Sequence, residues 1–197
     1  MDIGEFLSGF AAIDLVLVLI FIGFFVLGFA QGTIRRLIGL AAILFSFFFA
    51  ANLADPLGAY LGQNWRQFAP QYSFMIGFGT VFVAAALAFA IVVQGFYRPQ
   101  PLFEKARFAD EFMGGLLGLV QAAVILGATV VILDTFFRVP GIPADPQELP
   151  FLRDLWTALD GSQIVRAFRE GLIPNFLAIT GFLVPDSIQA FFPTGSR

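Results

Sequence analysis

Residues 15–36 read LVLVLIFIGFFVLGFAQGTIRR, and this stretch decides the class of the fold. Its first 20 residues carry no charge, and a helix of that length crosses the roughly 30 Å hydrocarbon core of a bilayer. Arg35 and Arg36 then interrupt the apolar sequence, and a second apolar stretch follows them directly. The pattern predicts a membrane span, a tight reversal that Gly28 and Gly32 allow, and a basic anchor at the inner face.

The composition of the whole chain agrees with a membrane protein. Of its 197 residues, 58% are hydrophobic and only 13% are charged, whereas soluble domains carry about 25% charged residues. A chain so poor in charge cannot cover its surface in water, so we take the lipid bilayer to be its first partner. The net charge of −3 argues against a nucleic-acid-binding surface, which needs clustered Lys and Arg.

The residue types that most chemistry needs are missing. The chain has no Cys and no His, which excludes disulfides and zinc sites with thiolate or imidazole ligands and removes the commonest general base. No P-loop, dinucleotide-binding fingerprint, G-x-S-x-G or H-E-x-x-H motif occurs. We therefore expect no enzyme and no cofactor or metal.

Three further apolar stretches follow the first. The four predicted spans cover about residues 15–34, 37–54, 74–96 and 112–133. None of them alternates with a period of two residues, which disfavours membrane-spanning strands. The predicted fold class is an all-α integral membrane protein, with a four-helix transmembrane domain over residues 15–134.

The distribution of basic residues predicts the orientation of the spans. The first loop carries two basic residues and the third carries three, whereas the acidic leader of residues 1–14 carries none and the second loop carries one. Basic loops stay in the cytoplasm. We therefore expect a multi-pass protein with both termini on the extracytoplasmic side.

Small residues recur at intervals of four on the predicted spans. Gly28 and Gly32 lie on the first span, and Gly114 and Gly118 lie on the fourth. This spacing lets two helix backbones approach closely in lipid. Packing within the bundle is the first interpretation, and contact between copies of the chain in a homo-oligomer is the second.

Residues 135–197 form a tail after the last span. A Pro-rich linker begins it, and short apolar stretches with charged residues between them follow. Ile164, Val165, Phe168 and Leu172 recur on one predicted helical face. We predict an extracytoplasmic tail of short amphipathic helices that lie on the outer leaflet or cap the bundle. A re-entrant segment around residues 175–184 is the alternative, since that run is too short for an ordinary span.

Two carboxylates mark the ends of the predicted transmembrane domain. Asp14 opens the first span, and we expect it to cap the N-terminus of that helix. Asp134 closes the fourth span, where a carboxylate opposes the helix dipole. Arg138, four residues further on, is the partner that the sequence suggests for Asp134.

In their order and spacing, these motifs resemble the CvpA family, named for colicin V production protein. The resemblance covers roughly residues 10–140 and rests on Asp14, on GFAQGTIRR at residues 28–36, on DEFMGGLLG at residues 110–118 and on ILDTF at residues 132–136. It implies a bacterial inner-membrane protein that is needed for the production or export of the toxin colicin V and is tied to envelope homeostasis.

The resemblance and the missing chemistry together predict a non-enzymatic function. We expect a scaffold or accessory factor, with a secretion-related or other extracytoplasmic protein as its partner. An oligomeric channel for ions or small solutes is the alternative, since four spans are too few for a roomy internal pore.

The chain departs from the family pattern at four polar positions. Gln31 and Gln121 stand where the family has Arg, Arg36 stands where it has Glu, and Glu111 stands where it has Arg. Because the signs at positions 36 and 111 are exchanged together, we expect Arg36 and Glu111 to face each other. Asp110 and Glu111 begin the fourth span on the side of the two arginines. An exposed pair of this kind contributes only about 0–1 kcal/mol.

Overall fold

The structure is a computed structural model that describes residues 11–65, 72–96, 107–138 and 150–189. All regular secondary structure in these ranges is helical. The helices are α1 (Ala12–Gln31), α2 (Thr33–Asn64), α3 (Ser73–Phe96), α4 (Arg107–Phe137), α5 (Pro150–Asp160), α6 (Gln163–Ala167), α7 (Ile173–Thr180) and α8 (Asp186–Gln189). A π-helical turn, Phe168–Leu172, joins α6 to α7, and a 3₁₀ turn, Gly181–Leu183, follows α7.

Helices α1 to α4 are each long and apolar enough to cross a membrane. The predicted class, an all-α membrane protein with four spans and short C-terminal helices, is therefore confirmed. The first ten residues of the predicted leader and most of the Pro-rich linker lie outside the described residues.

Helix α4 is central to the bundle. It contacts α1, α2 and α3, whereas α1 packs mainly on α4, and α2 packs mainly on α3. Half of the most apolar stretch of α4 is buried within the protein, against 17–28% for the other three helices. The outward faces of α1, α2 and α3 expose large apolar side chains such as Leu19, Phe45 and Ile91, as lipid-facing helices do.

Helix α2 runs beyond its predicted span. We predicted its end at residue 54, but the helix continues through Pro56 to Asn64. Its 32 residues extend over about 48 Å, which exceeds the hydrocarbon core of about 30 Å. A Cβ on Gly58 would lie 3.0 Å from the Cα of Phe74 on α3. This close packing on α3 stabilises the extension, whereas a proline removes one helical hydrogen bond.

The two ends of the bundle differ. The helices alternate in direction, so α1 begins and α4 ends at one end, to which the tail binds. We call this the tail end, and we call the opposite end, where a single residue joins α1 to α2, the Gly32 end.

The tail packs against the bundle as part of one apolar core. Val165, Phe168, Ile173 and Leu177 are buried together with side chains of the long helices. Ile173 and Phe176 line a cavity with Ala123, which lies near the middle of α4. The tail therefore reaches between the long helices, as the re-entrant alternative for residues 175–184 predicted, and does not only cover the end of the bundle. Leu172, predicted on the buried face, is 46% exposed. The π-helical turn adds one residue to the local repeat, so Ile173 takes the buried position.

Candidate functional site

Asp14 lies in the first turn of α1 and is completely buried. We predicted it as the cap of this helix, but the N-cap residue is Ala11, three positions earlier. The Asp14 carboxylate accepts the backbone N–H of Ala11 at 3.0 Å through Oδ2. This bond from the third helical residue back to the cap satisfies one of the donors that every helix start leaves unpaired.

The same carboxylate binds the start of α6 in the tail. The Ser162 hydroxyl, at the N-cap of α6, donates to Asp14 Oδ1 and accepts the backbone N–H of Val165 at 3.1 Å. The backbone N–H groups of Gln163 and Ile164 donate to Asp14 Oδ2 and Oδ1 at 3.3 and 3.2 Å. A carboxylate has about four acceptor positions, and the donors from α1 and α6 occupy them. The negative charge also lies at the favourable end of the α6 dipole.

Asp134 lies in the last turns of α4 and is also completely buried. Arg169 binds it with two parallel hydrogen bonds, Nε to Oδ2 at 2.8 Å and Nη2 to Oδ1 at 2.6 Å. The indole N–H of Trp156 donates to Oδ1 at 3.0 Å. The predicted partner Arg138 forms an ion pair at 3.7 Å. The tail therefore supplies the cation that offsets a carboxylate at a helix C-terminus.

Arg169 joins three segments of the chain. It lies in the π-helical turn, its side chain is only 9% exposed, and it also donates to Asp160 at the end of α5 at 2.5 Å. Burial disfavours the charged guanidinium, but the hydrogen bonds and charges of Asp134 and Asp160 outweigh it and raise the pKa of Arg169 above its ordinary value. Arg169 therefore stays a cation that holds α4, α5 and the π-helical turn together.

The two carboxylates act at the same end of the bundle. Asp14 and Asp134 lie on α1 and α4, two helices in extensive contact, and each binds a different part of the tail. The side chains involved are those of Asp14, Asp134, Trp156, Ser162 and Arg169, and we call them the tail clamp. The clamp fixes the helices after residue 150 on the bundle, with its polar contacts at the tail end.

Helices α1 and α4 pack backbone to backbone through glycines. A Cβ on Gly28 would overlap the carbonyl oxygen of Gly114, and a Cβ on Gly118 would overlap that of Phe24. A Cβ on Gly114 would lie 2.5 Å from the carbonyl oxygen of Gly28. The structure thus brings these three glycines into one contact within the bundle.

Gly32 is the single residue between α1 and α2. Its φ of 76° lies in the left-handed region, which glycine adopts without strain. A Cβ here would lie 2.6 Å from Oδ2 of Asp110 at the start of α4. The Thr33 hydroxyl donates to the Asp110 carbonyl oxygen at 2.8 Å. Asp110 therefore packs directly against the reversal that the sequence predicted.

The predicted pair between Arg36 and Glu111 is wrong. Glu111 accepts a hydrogen bond from Arg107 Nε at 2.8 Å, and Arg36 Nη1 donates to Gln121 Oε1 at 2.6 Å. Arg36 is 5% exposed, and its side chain enters the bundle instead of following the surface. Positions 111 and 121 are about 15 Å apart along α4, so one side chain cannot serve both. Two of the departures from the family pattern, at positions 36 and 121, are in contact.

Most of the helices described above lie in a segment that matches a known protein family. A family model described as colicin V production protein matches residues 13–158, which is 146 of the 197 residues. The chain belongs to the colicin V production protein family. The resemblance suspected from the sequence is therefore confirmed, and the match extends beyond residue 140 into α5. No match to the chain was found among curated proteins or among solved structures.

In this colicin V production family member, the segment that matches the family model contains only part of the tail clamp. Asp14, Asp134 and Trp156 lie inside the matched segment, whereas Ser162 and Arg169 lie beyond it. The two carboxylates and the glycines were predicted as candidates from the sequence. The tail residues that donate hydrogen bonds to the carboxylates were not predicted. Ser162 had a usable signal, because a serine directly before an apolar helical stretch is typical of an N-cap. Nothing in the sequence distinguishes Arg169 from the other arginines of the tail.

Proposed function

We propose that this colicin V production family member is a non-enzymatic scaffold of the bacterial inner membrane. It serves as an accessory factor in the production or export of colicin V-type toxins and in envelope homeostasis. The tail clamp is the observation that supports this proposal. Two buried carboxylates at the tail end of the bundle hold the tail as a fixed platform, and a preorganised surface binds a partner without the entropic cost of ordering it first.

The platform offers anchors for another protein. Phe151, Ile179 and Phe182 on the tail are 76%, 76% and 86% exposed. Exposed aromatic and aliphatic side chains on a rigid support are the groups that dominate binding at protein interfaces. We propose an extracytoplasmic, secretion-related protein as the partner of this platform.

The proposed orientation places the platform outside the cytoplasm. Arg35, Arg36 and Arg107 belong to the Gly32 end, and basic residues near span ends favour the cytoplasmic side. The absence of native cysteine allows a direct test. Single cysteines at Lys105 and Ser196 are treated with a membrane-impermeant maleimide in spheroplasts. Labelling at position 196 alone supports the orientation, and labelling at position 105 alone reverses it.

Complementation tests the function. The gene is expressed in a colicin V-secreting strain from which the resident family gene has been deleted, and we expect it to restore toxin activity in the medium and resistance of the envelope to detergent. Phe182→Gln should lower toxin activity at unchanged protein level, because it removes an exposed anchor of the platform. Asn175→Gln changes an exposed polar residue of the same tail and is the control. Full activity of the Phe182 variant would contradict the role of the platform.

The alternative function, an oligomeric conduit, has a separate test. Purified protein is reconstituted into liposomes, and the current across the membrane is recorded. The scaffold proposal predicts no reproducible current from a protein that complements the deletion. A selective current that disappears when the protein is omitted would replace the scaffold with a channel.

A further inference from the structure

A groove opens on the side of the bundle at the Gly32 end. Its volume is about 360 Å³, within the range of about 300–1,000 Å³ that ligand pockets occupy. Helices α2, α3 and α4 line it, together with Gln31, the last residue of α1. Its polar side chains come from Gln31, Arg35, Arg36 and Gln121, and the other lining side chains are apolar. The groove is therefore amphipathic, with cations in its polar part.

The polar part of the groove lacks an anion. Arg36 is 5% exposed and binds Gln121, but its Nε–H is buried and has no acceptor among the described residues. Arg35, beside it, forms no hydrogen bond or ion pair with any residue in the described ranges. A buried charged donor without an acceptor is unfavourable, because it has lost its bonds to water without replacing them. A ligand with an anionic oxygen in the groove would supply the acceptor and balance the two positive charges.

The apolar part of the groove has the length of one leaflet. The lining residues of α3 run from Phe82 to Val93, a distance of about 16 Å along the helix axis. This is half of the hydrocarbon core of about 30 Å. Since α3 is antiparallel to α2, Val93 lies nearest to the arginines and Phe82 lies deepest. Val83 and Leu87 are 53% and 58% exposed, so the groove opens toward the surrounding lipid.

We propose that this groove binds one anionic phospholipid. The phosphate contacts Arg35 and Arg36, whose planar guanidinium groups bind phosphate oxygens with paired hydrogen bonds. One acyl chain lies along α3 toward the middle of the bilayer. Free phosphate shares the head-group chemistry, but the apolar length and the lateral opening favour a lipid.

Lipid retention in native mass spectrometry tests the proposal. The purified protein is mixed with equal amounts of phosphatidylglycerol and phosphatidylcholine that have the same acyl chains. We expect one phosphatidylglycerol to be retained about tenfold over phosphatidylcholine, and Arg35→Gln to abolish most of that preference, as the loss of a charge-assisted hydrogen bond predicts. Arg107→Gln removes a positive charge from the same end of the bundle, where its side chain is 88% exposed and outside the groove, and is the control. Equal retention of both lipids, or an equal loss in the control, would overturn the proposal.

A second pair of variants tests the apolar part without touching the arginines. Ala90 lines the groove, whereas Ala88 is an exposed residue of α3 outside it. Ala90→Leu should lower phosphatidylglycerol retention several-fold, and Ala88→Leu should leave it unchanged. Added inorganic phosphate separates the two sources of the head-group chemistry. If millimolar phosphate displaces the lipid completely and Ala90→Leu has no effect, the site binds a free anion and the lipid proposal fails.

Discussion

Arg169→Gln is expected to release the tail from the bundle. In the wild-type chain Arg169 donates two hydrogen bonds to the fully buried Asp134, at 2.6 and 2.8 Å, and one to Asp160. The shorter, neutral glutamine replaces neither the charge nor the paired geometry. The substitution therefore leaves a buried carboxylate with Trp156 and the more distant Arg138 as its described partners.

The size of the effect follows from these contacts. Removing one partner of a buried ion pair costs about 3–5 kcal/mol. Arg138 is 3.7 Å from Asp134 and its side chain is 43% exposed, so it keeps part of the compensation. We therefore expect a loss at the lower end, about 3 kcal/mol, which corresponds to roughly a 100-fold change in an equilibrium constant.

Cysteine labelling measures this change locally. Val165 is completely buried between the tail and the bundle, and the chain has no native thiol. A Val165→Cys variant is placed in nanodiscs and treated with a maleimide reagent. The reagent reaches the introduced thiol only when the tail opens. When opening and closing are fast relative to the reaction, the labelling rate follows the opening equilibrium. Arg169→Gln should raise this rate roughly 100-fold.

Two further variants make the experiment decisive. Arg166→Gln removes an exposed arginine three residues earlier and should leave the rate within about twofold, as surface substitutions do. Adding Asp134→Asn to Arg169→Gln should slow the labelling again, because no uncompensated charge remains buried. A rate for Arg169→Gln equal to that of the Arg166 control would refute the reasoning.

Three more predictions concern other parts of the bundle, and thermal unfolding in detergent measures each. Gly127→Ala should stabilise the protein by about 0.5–1 kcal/mol, because Gly127 lines an apolar cavity of about 40 Å³ beneath the tail and its added Cβ would meet no atom within 4 Å. Gly118→Ala should destabilise it by about 1–3 kcal/mol, because its Cβ would overlap the Phe24 carbonyl oxygen; equal effects of the two glycine variants would contradict this packing. Glu111→Gln should change stability by less than about 0.5 kcal/mol, because its partner Arg107 is largely exposed, and a large loss would revive a structural role for Glu111.

The four spans could be predicted because span length and apolarity are properties of each segment alone. Helix ends could not, because they depend on contacts between segments. The sequence around Pro56 is typical of a helix end, yet α2 continues to Asn64. Gly58 and Gly77 allow α2 and α3 to pack closely there, and this packing overrides the local preference of the proline.

The acceptors of the clamp could be predicted, whereas its donors could not. Asp14 and Asp134 stand out because a carboxylate beside a long apolar stretch needs a partner. Their partners Ser162 and Arg169 lie 148 and 35 residues away along the chain, respectively. Only the path of the tail across the end of the bundle brings these groups together. The π-helical turn that positions Arg169 likewise has no clear sequence signal.

The central claim is that the carboxylates of Asp14 and Asp134 hold the tail on the bundle. Hydrogen exchange of the double variant Asp14→Asn/Asp134→Asn tests this claim most directly. Wild-type and variant protein in nanodiscs are compared by mass spectrometry over the tail residues 162–177 and over the interior of α2. We expect the tail amides to be protected in the wild type and to exchange at least about tenfold faster in the variant, with α2 unchanged. Equal exchange of the tail in the two proteins would contradict the claim.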